Sequence, residues 1–579
     1  MAPNVQQAPQ TQPYTDLASQ TTQPSHQAAR TLLHADQTAR TPLRTDRAQL
    51  LARLAENKTY DLAIIGGGAT GLGLALDAAS RGYSVVLIDA TDFAKGTSSR
   101  STKLVHGGVR YLAQGNVSLV YEALHERTTL LHNAAHLAQP LAFILPCYKF
   151  WEIPFYGAGL LLYDALSGKR SLGRTRFWGA HETLKHVPNL HNKGLKGSVK
   201  YWDGQFDDAR LALALARTAA QRGALLINYC SALELTHSDG LDTSSTAPDH
   251  QGQITGLLAQ DHETQQIYPI KANCVVNAAG VWVDALRQKD DAAASLQSVA
   301  MVAPSQGVHV VVDREFLAGE HAIIVPHTED GRVLFAVPWL GKVIIGTTDT
   351  PRHDLSREPD PYAEELAFIL RESARYLTRA PTRADIKSIW VGLRPLVKPP
   401  KDEHGNTKAI SREHTVLISK SKMVTVTGGK WTTYRAMAQD VLKHCVDAKL
   451  LPERQACVTA NLSLVGAQTG RKVDHPMYEV PGIKAYGDEA EEVTQLPGAE
   501  RHLGGGLTEA MVRFAVRHEY ARTVEDVLAR RSRLLFLDAK LAHALADSVG
   551  EIIVQELPNK DPGVEAFKNL ALHYLTLPA

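Results

Sequence analysis

The segment Tyr60-Asp-Leu-Ala-Ile-Ile-Gly-Gly-Gly-Ala-Thr-Gly71 joins an apolar run directly to a cluster of glycines. Its first half is an apolar run typical of a buried strand, and an amphipathic helix from Leu72 to Arg81 follows it. A second strand ends at Asp89, and an acid about 20 residues beyond such glycines binds a ribose hydroxyl. The sequence therefore predicts a dinucleotide lying on a helix N-terminus. The glycines with the required G-x-G-x-x-G spacing are Gly66, Gly68 and Gly71.

A hydroxyl-rich and cationic run, Gly96-Thr-Ser-Ser-Arg-Ser-Thr-Lys-Leu-Val-His-Gly-Gly-Val-Arg-Tyr111, follows this unit closely. Its short side chains can donate hydrogen bonds, and its paired glycines let backbone approach a flat ring. Lys103 and Arg110 bring positive charge to the same place. The run suits a flavin with an anionic substrate beside it, and the alternative is an ordinary polar connection. The residues expected at the cofactor are Thr97, Ser98, Ser99, Lys103, Gly107 and Gly108.

Further motifs make the chain similar to one known family. With the two runs above, they resemble the FAD-dependent glycerol-3-phosphate dehydrogenases, which share a fold with the D-amino-acid oxidases. The resemblance covers the chain from about Tyr60 to the C-terminus and implies FAD as the cofactor. The motifs are Glu122-Ala-Leu-His-Glu-Arg127, Tyr201-Trp-Asp-Gly-Gln-Phe-Asp-Asp-Ala-Arg210, Val276-Asn-Ala-Ala-Gly-Val-Trp282, Pro338-Trp339, Ile345-Gly-Thr-Thr-Asp349, Gly392-Leu-Arg-Pro395 and Gly428-Gly-Lys-Trp-Thr-Thr-Tyr-Arg435.

The fold class that we predict is α/β, with three regions in a chain of 579 residues. Residues 1–58 read as a disordered extension that ends in a short helix between Asp46 and Asn57. Residues 59–440 form a discontinuous body, in which a Rossmann-like FAD-binding domain carries an inserted antiparallel-sheet substrate domain. Residues 441–579 form a mainly helical C-terminal cap, with helices predicted over Glu509–Tyr520, Val524–Arg530 and Leu541–Glu556.

Composition excludes some classes of function. The formal net charge is +1, and no basic helix or zinc finger occurs, so we expect no nucleic-acid partner. The five widely spaced cysteines are typical of reduced thiols in an intracellular protein, and no metal site is expected.

No apolar run reaches the ~20 residues of a spanning helix. The nearest candidate, Leu141 to Tyr163, is broken by Pro146 and Pro154 and is rich in aromatic residues. It suits either an interfacial membrane patch or the core of the substrate domain. The family resemblance implies electron transfer to membrane quinone, so we expect a peripheral protein at the cytoplasmic face of a bacterial inner membrane. A mitochondrial location is less favoured, and a homo-oligomer is expected.

Two later segments are predicted to contact the flavin. In Val275-Val-Asn-Ala-Ala-Gly280, Ala279 and Gly280 are small enough for backbone to lie against the cofactor. In Met423-Val-Thr-Val-Thr-Gly-Gly-Lys430, Gly428 and Gly429 precede a helix beginning near Thr432. The N-terminus of that helix carries about half a positive charge and would stabilise negative charge on the flavin. A Rossmann crossover and a plain helix cap are the alternatives.

Substrate residues follow from the chemistry that the resemblance implies. Glycerol 3-phosphate carries a phosphate and a C2 hydroxyl, so its oxidation needs cations and a base. Arg394 suits a bidentate phosphate clamp. His309 is favoured as the base over His106, which we place beside the flavin. Further contacts carried over from the matching motifs are Arg110, Tyr111 and Lys430.

The function predicted is oxidation of sn-glycerol 3-phosphate to dihydroxyacetone phosphate, with electrons passing through FAD to membrane quinone. One alternative is an oxidase that uses oxygen directly. An amine or amino-acid oxidase of the same fold needs only one carboxylate clamp, whereas this chain offers several cations. A flavin-binding subunit without turnover is a further alternative, which loss of Arg394 or Lys430 would have favoured.

Overall fold

The computed structural model describes residues 42–109, 112, 115–238, 252–292, 299–325, 328–329, 331–398, 414–467 and 475–579. Most of the predicted N-terminal extension and the predicted substrate contacts Arg110 and Tyr111 lie outside the described residues. A short helix occupies Arg47–Leu54, where Asp46 accepts a hydrogen bond from the backbone of Gln49.

Twenty strands lie in the described ranges. The first ten are β1 (Thr59–Ile65), β2 (Val85–Ile88), β3 (Leu104–Val105), β4 (Ala138–Cys147), β5 (Arg176–Gly179), β6 (Gly197–Phe206), β7 (Leu225–Ile227), β8 (Cys230–His237), β9 (Ile254–Asp261) and β10 (Ile267–Asn277). The second ten are β11 (Val302–Asp313), β12 (Ala322–Val325), β13 (Leu334–Trp339), β14 (Lys342–Gly346), β15 (Thr350–Pro351), β16 (Ser388–Val397), β17 (His414–Ile418), β18 (Val424–Gly428), β19 (His502–Gly504) and β20 (Leu507–Thr508).

Fourteen α-helices accompany them in the same ranges. They are α1 (Arg47–Leu54), α2 (Ala69–Ser80), α3 (Val117–Asn133), α4 (Glu152–Ser167), α5 (Ala180–His186), α6 (Asp208–Gln221), α7 (Val283–Ala292), α8 (Ala363–Tyr376), α9 (Tyr434–Asp447), α10 (Ala490–Thr494), α11 (Glu509–His518), α12 (Leu534–Leu537), α13 (Ala539–Glu556) and α14 (Val564–Leu575).

The first sheet has the order β17-β18-β10-β1-β2-β7, with β8 and β9 attached to β10. Its five strands from β18 to β7 are parallel, and Ile64 of β1 lies between Val276 of β10 and Leu87 of β2. Helices α2, α6 and α9 pack together over this sheet. Because parallel sheets are covered on both faces, their central strands are continuously apolar, which is why the sequence located them. This is the predicted cofactor-binding unit.

The second sheet has the order β15-β11-β14-β13-β12-β4-β6-β3, with β16 paired to β11 and β5 to β6. All of its pairs are antiparallel except β12 with β4. His309 on β11 lies opposite Trp390 on β16 and Gly346 on β14. The predicted antiparallel substrate sheet is therefore present, and the α/β fold class is confirmed.

The C-terminal region is helical, as predicted, and its helices share one apolar core with Trp339 and Trp390 of the second sheet. One of the three predicted helices differs. The segment predicted as a helix from Val524 to Arg530 is a π-helical turn over Asp526–Arg531. Consecutive arginines, Arg530 and Arg531, both reach the buried Asp92 of the cofactor-binding unit from this turn. The wider turn is typical of local distortions at functional positions.

The candidate interfacial segment divides into two structures. Up to Cys147 it is a buried strand, β4. Beyond that strand, helix α4 and the turn before it leave Phe150 75%, Phe155 64% and Trp151 52% exposed. The segment therefore contributes both to the core and to an exposed apolar surface. Within the described ranges, we find no helix whose length and hydropathy would let it cross a bilayer.

Candidate active site

The glycine turn after β1 is built for a close approach of a ligand to backbone. Gly66 has φ +116°, and a Cβ there would lie 2.5 Å from the carbonyl oxygen of Ala278. A Cβ on Gly71 would lie 1.9 Å from the carbonyl oxygen of Gly66. Gly68 caps helix α2, and the hydroxyl of Ser98 accepts a hydrogen bond from the backbone of Ala69 at 2.9 Å. Such an N-terminus fits the pyrophosphate of a dinucleotide.

Asp89 lies at the end of β2 and lines the same cleft. Its carboxylate accepts hydrogen bonds from the backbone of Gly67 at 2.6 Å and from Thr91 at 2.7 and 2.9 Å. Burial raises the pKa of this carboxyl, and the hydrogen bonds oppose that rise. The carboxylate stabilises the glycine turn and still offers lone pairs to a ribose hydroxyl.

The dinucleotide cleft opens into a second cavity. Besides the glycine turn, the cleft is bordered by Ala279 and Gly280, which begin a 3-10 turn after β10. A ligand in the cleft can therefore contact a molecule bound in the second cavity. The residues that line both spaces are Thr97, Pro395, Gly428, Gly429, Lys430 and Trp431.

The second cavity has a volume of about 200 Å³. This is below the ~300–1,000 Å³ of sites for drug-sized ligands, so the cavity suits a small substrate. His309, Arg394 and Lys430 line it together with His106. The structure thus brings together four residues that the sequence analysis selected from four separate parts of the chain.

His309 is held between aromatic and hydroxyl neighbours. Its ring stacks on Trp390 with centroids 4.1 Å apart, and its Nε2 lies 3.0 Å from Oγ1 of Thr102. Its Nδ1 is buried and has no hydrogen-bond partner among the described residues. Burial, followed by the charges of Lys103 and Arg394, lowers the pKa of His309 well below its usual value. The imidazole is therefore neutral at pH 7, as a base must be.

Arg394 is anchored by the chain around it. Its guanidinium donates to the carbonyl oxygens of Gln306 at 3.2 Å and Thr348 at 2.9 Å, and it pairs with Asp349 at 3.4 Å. Gly307 makes room for it, since a Cβ there would lie 2.3 Å from Nη2. The anchored cation faces a cavity and matches an anionic group.

The segment after β18 approaches the cleft through two left-handed glycines, Gly428 at φ +82° and Gly429 at φ +75°. A Cβ on Gly429 would lie 2.4 Å from the sulfur of Met437. A 3-10 turn over Trp431–Thr433 precedes helix α9, so the helix begins slightly later than predicted. Thr432 accepts a hydrogen bond from the backbone of His106 at 3.2 Å, which fixes that histidine beside the helix N-terminus.

Four of the residues expected at the cofactor, Ser99, Lys103, Gly107 and Gly108, do not line either cavity. Lys103 is fully buried, and its ammonium donates to Asp208 and to the carbonyl oxygen of Ser99, each at 2.7 Å. Burial lowers its pKa to about 7. The backbone of Gly107 donates to Tyr163 at 2.7 Å. Asp208 and the carbonyl oxygen of Ser99 hold the ammonium of Lys103 outside both cavities, so a contact of Lys103 with the cofactor stays a prediction.

Sequence reasoning missed Thr102, Arg100 and Trp390. Thr102 and Arg100 line the substrate cavity and belong to the same hydroxyl-rich run, so their residue types carried a signal. Trp390 stands two residues before the Gly392-Leu-Arg motif, but only strand pairing reveals that it lies beside His309.

Comparison with known proteins agrees with this geometry. Residues 61–435 match the family of FAD dependent oxidoreductases, and residues 457–561 match the C-terminal domain of alpha-glycerophosphate oxidase. The mitochondrial glycerol-3-phosphate dehydrogenase of Homo sapiens is 38% identical over 88% of this chain and 72% of its own length. The corresponding Arabidopsis thaliana protein is 37% identical over 86% of this chain and 82% of its own length.

Solved structures of related proteins agree with the sequence comparisons. The glycerol-3-phosphate dehydrogenase from Bacillus halodurans complexed with FAD has a TM-score of 0.70 and 28% identity, covering 91% of this chain and 97% of its own. The L-alpha-glycerophosphate oxidase from Mycoplasma pneumoniae, at TM-score 0.53 and 16% identity over 70% of this chain and 99% of its own, shares the fold. The chain therefore belongs to the FAD dependent oxidoreductases, in the family of the glycerol-3-phosphate dehydrogenases.

Proposed function

We propose that this protein oxidises sn-glycerol 3-phosphate at C2 to dihydroxyacetone phosphate and passes the electrons to a membrane quinone. The observation that carries the proposal is the arrangement of His309, Arg394 and Lys430 around one small cavity that opens into the dinucleotide cleft. FAD, when bound in that cleft, supplies the hydride acceptor.

The cofactor would be held at three places. The N-terminus of α2, with Gly66, Gly68 and Ser98, fits the pyrophosphate, and Asp89 fits a ribose hydroxyl. Ala279 and Gly280 border the middle of the cleft. Gly428, Gly429 and the N-terminus at Thr432 lie where the cleft meets the substrate cavity, so partial positive charge would face the reacting ring.

The substrate phosphate would bind Arg394 and Lys430. Charge-assisted hydrogen bonds from a planar guanidinium suit phosphate oxygens, and the contacts of Arg394 with backbone carbonyls keep it in place before substrate arrives. Arg110 and Tyr111 complete this set by sequence only.

His309 would accept the proton of the C2 hydroxyl at Nε2, while hydride leaves C2 for the flavin. Nε2 points to the hydroxyl of Thr102, which lines the same cavity. The low pKa of His309 keeps this nitrogen available as an acceptor. His106, fixed beside the helix N-terminus by Thr432, is the alternative base.

We propose docking of the protein on a membrane surface through α4. The exposed aromatic residues Phe150, Trp151 and Phe155 lie near Lys149 and Lys196, whose ammonium groups stand 5.8 Å from the Trp151 ring and 4.6 Å from the Phe150 ring. Aromatic rings with neighbouring lysines suit the headgroup layer of an anionic bilayer. A peripheral protein so placed could meet quinone in the bilayer.

The bacterial inner membrane and the homo-oligomer are proposals that rest on the sequence alone. The division into residues 1–58, 59–440 and 441–579 is likewise proposed, with the body carrying the site and the last region forming a mainly helical cap. Light scattering of the purified protein would test the oligomer.

Oxygen as the direct acceptor is the second candidate, because the C-terminal region matches a domain named for an oxidase. Anaerobic mixing with glycerol 3-phosphate should bleach the flavin absorbance, and a soluble quinone analogue should restore it far faster than air does. Bleaching by a primary amine or amino acid instead would contradict the substrate. Reoxidation by air at the rate of turnover would change the assignment to an oxidase.

A further inference from the structure

Arg533 lies in the cap, and its side chain reaches the hydroxyl-rich run beside the substrate cavity. It is fully buried and adopts a left-handed conformation at φ +66°, which is rare for a residue with a side chain. The conformation turns the chain from the π-helical segment into α12 and directs the guanidinium out of the cap. The guanidinium carbon lies 4.5 Å from the ring centroid of Phe536 and 5.6 Å from that of Trp339.

The guanidinium of Arg533 bonds to the segment that borders the substrate cavity. Nη2 donates to the carbonyl oxygen of Ser99 at 2.8 Å and to Oδ1 of Asp208 at 2.9 Å. Nη1 donates to the carbonyl oxygen of Ala529 within the cap at 2.8 Å. The arginine therefore joins three parts of the molecule: the cap, helix α6 and the hydroxyl-rich run.

Asp208 also accepts hydrogen bonds from two other residues of the hydroxyl-rich run, Ser101 and Lys103. Its Oδ2 accepts from Lys103 Nζ at 2.7 Å and from the hydroxyl and backbone nitrogen of Ser101 at 2.7 and 3.1 Å. The ammonium of Lys103 also donates a hydrogen bond to the carbonyl oxygen of Ser99 at 2.7 Å. Ser99, Ser101 and Lys103 are thus each hydrogen-bonded to Arg533 or to Asp208.

Thr102 lies between Ser101 and Lys103, and it faces the substrate cavity. Its hydroxyl lies 3.0 Å from Nε2 of His309, and both residues line the substrate cavity. A shift of about 1 Å in a reacting group can cost about 10²-fold in rate, so the position of this segment bears on the chemistry.

We propose that Arg533 is a positioning residue for the reaction, acting through Ser99 and Asp208 to hold Thr102 against His309. The cap thereby completes a substrate site that it does not itself line. This inference rests on the proposed function where it is tested by the rate of flavin bleaching. Hydrogen exchange tests it without reference to the substrate.

The test compares Arg533→Lys with Arg217→Lys in the FAD-loaded protein. Arg217 makes a largely buried contact between α6 and the cap, donating to both oxygens of Glu489 at 2.6 Å, and none of its hydrogen bonds or ion pairs involves the segment 99–103. A lysine keeps the charge in each variant and loses the several fixed N–H donors of the guanidinium. Arg533→Lys should bleach about tenfold more slowly with saturating glycerol 3-phosphate, while Arg217→Lys should bleach at the unmutated rate.

A double-mutant cycle separates positioning from general damage. In a Thr102→Val background, Arg533→Lys should lower the rate by less than about twofold, because the group that it positions is gone. In peptides covering residues 99–104, the amides should exchange with deuterium faster in Arg533→Lys and not in Arg217→Lys.

Equal slowing by the two arginine variants, or a tenfold loss that persists in the Thr102→Val background, would overturn the proposal. If Arg533→Lys does not retain FAD, Ser101→Ala removes two hydrogen bonds of the segment, one to Asp208 and one from the backbone of Lys103. Normal bleaching and exchange in that variant would also overturn the proposal. Failure of the unmutated protein to bleach would refute the proposed substrate instead, and the exchange experiment would still decide the role of Arg533.

Discussion

Single atoms decide what the glycine turn can bind. Gly71 lies on α2, where an alanine would normally be favoured, yet its Cβ would stand 1.9 Å from the carbonyl oxygen of Gly66. The clash is with backbone, so relief requires opening the turn that faces the pyrophosphate.

We expect Gly71→Ala to lose bound FAD. The ratio of flavin to protein absorbance after purification measures this, with far-ultraviolet circular dichroism to show that the chain is folded. Gly159→Ala is the matched control, since Gly159 is also helical and a Cβ there meets nothing within 4 Å. Equal flavin content in both variants would contradict the cofactor assignment.

For the substrate clamp, Arg394→Ala should lower kcat/KM for glycerol 3-phosphate about 100-fold, because losing hydrogen bonds to a charged group costs roughly 1.5–3 kcal/mol. Arg394→Lys should recover only part of this, since an ammonium cannot reproduce the planar geometry. Steady-state kinetics with a quinone analogue measures both variants. Unchanged constants in Arg394→Ala would place the phosphate elsewhere.

The base is tested by His309→Asn, which should keep FAD and slow anaerobic bleaching by about 10²-fold or more, the usual contribution of general-base catalysis. Reoxidation of the dithionite-reduced protein by quinone should be nearly unchanged, because it follows the substrate chemistry. If bleaching is normal, His106 becomes the candidate base.

At the scale of elements, α4 has two different faces. Tyr163 is buried and holds the backbone of Gly107, while Phe155 and the preceding Trp151 are exposed. The helix therefore contacts the loop of the substrate site from within and offers an apolar surface outside.

We expect the double variant Trp151→Ser, Phe155→Ser to bind phosphatidylglycerol vesicles at least about 100-fold more weakly, since fully burying one such side chain contributes roughly 1.5–3 kcal/mol. Bleaching in solution should be unaffected. Leu572→Ser removes an apolar side chain of similar exposure, 50%, from α14 and should bind vesicles normally. Sedimentation with the vesicles measures the bound fraction, and equal sedimentation of all forms would contradict docking through α4.

Some parts of the structure could be predicted from the sequence and others could not, for physical reasons. Strands β1 and β10 were predictable, because continuous apolar runs before glycine turns are typical of buried parallel strands. The burial of the Lys103 ammonium could not be predicted, because its partner Asp208 lies 105 residues away in the chain. The arginines of the π-helical turn at Asp526–Arg531 also pair with a distant residue, Asp92, and local periodicity cannot distinguish this turn from an ordinary helix.

For the whole molecule, the cap and the cofactor-binding unit are joined through buried charge. Arg210 pairs with Glu519 at 2.9 Å, and Arg217 pairs with Glu489 at 2.6 Å. Beside these arginines lies His136, which is 8% exposed and packs against the backbone of Gly466 and Gly487. Any proton added to this histidine enters a region that is already cationic.

Burial, followed by the charges of Arg210 and Arg217, lowers the pKa of His136 to about 3. In the unfolded chain its pKa is about 6.5, so between these values the unfolded state binds a proton that the folded state refuses. Stability is therefore complete above pH ~6.5 and falls below it by about 1.4 kcal/mol per pH unit from this group. At pH 5 the loss reaches about 2 kcal/mol.

His136→Gln cannot take up the proton, so its melting temperature should fall less between pH 7 and pH 5 than that of the unmutated protein. His502→Gln, at an exposed histidine of the cap, should fall as the unmutated protein does. His321, whose pKa is lowered to about 4, and His309 contribute in the same direction and remain in every variant, so acid destabilisation is reduced rather than abolished. Thermal unfolding of the FAD-loaded forms followed by flavin fluorescence measures the difference. Parallel curves for all three proteins would show that His136 accepts its proton in the folded state, and that the junction of cap and body is open to water.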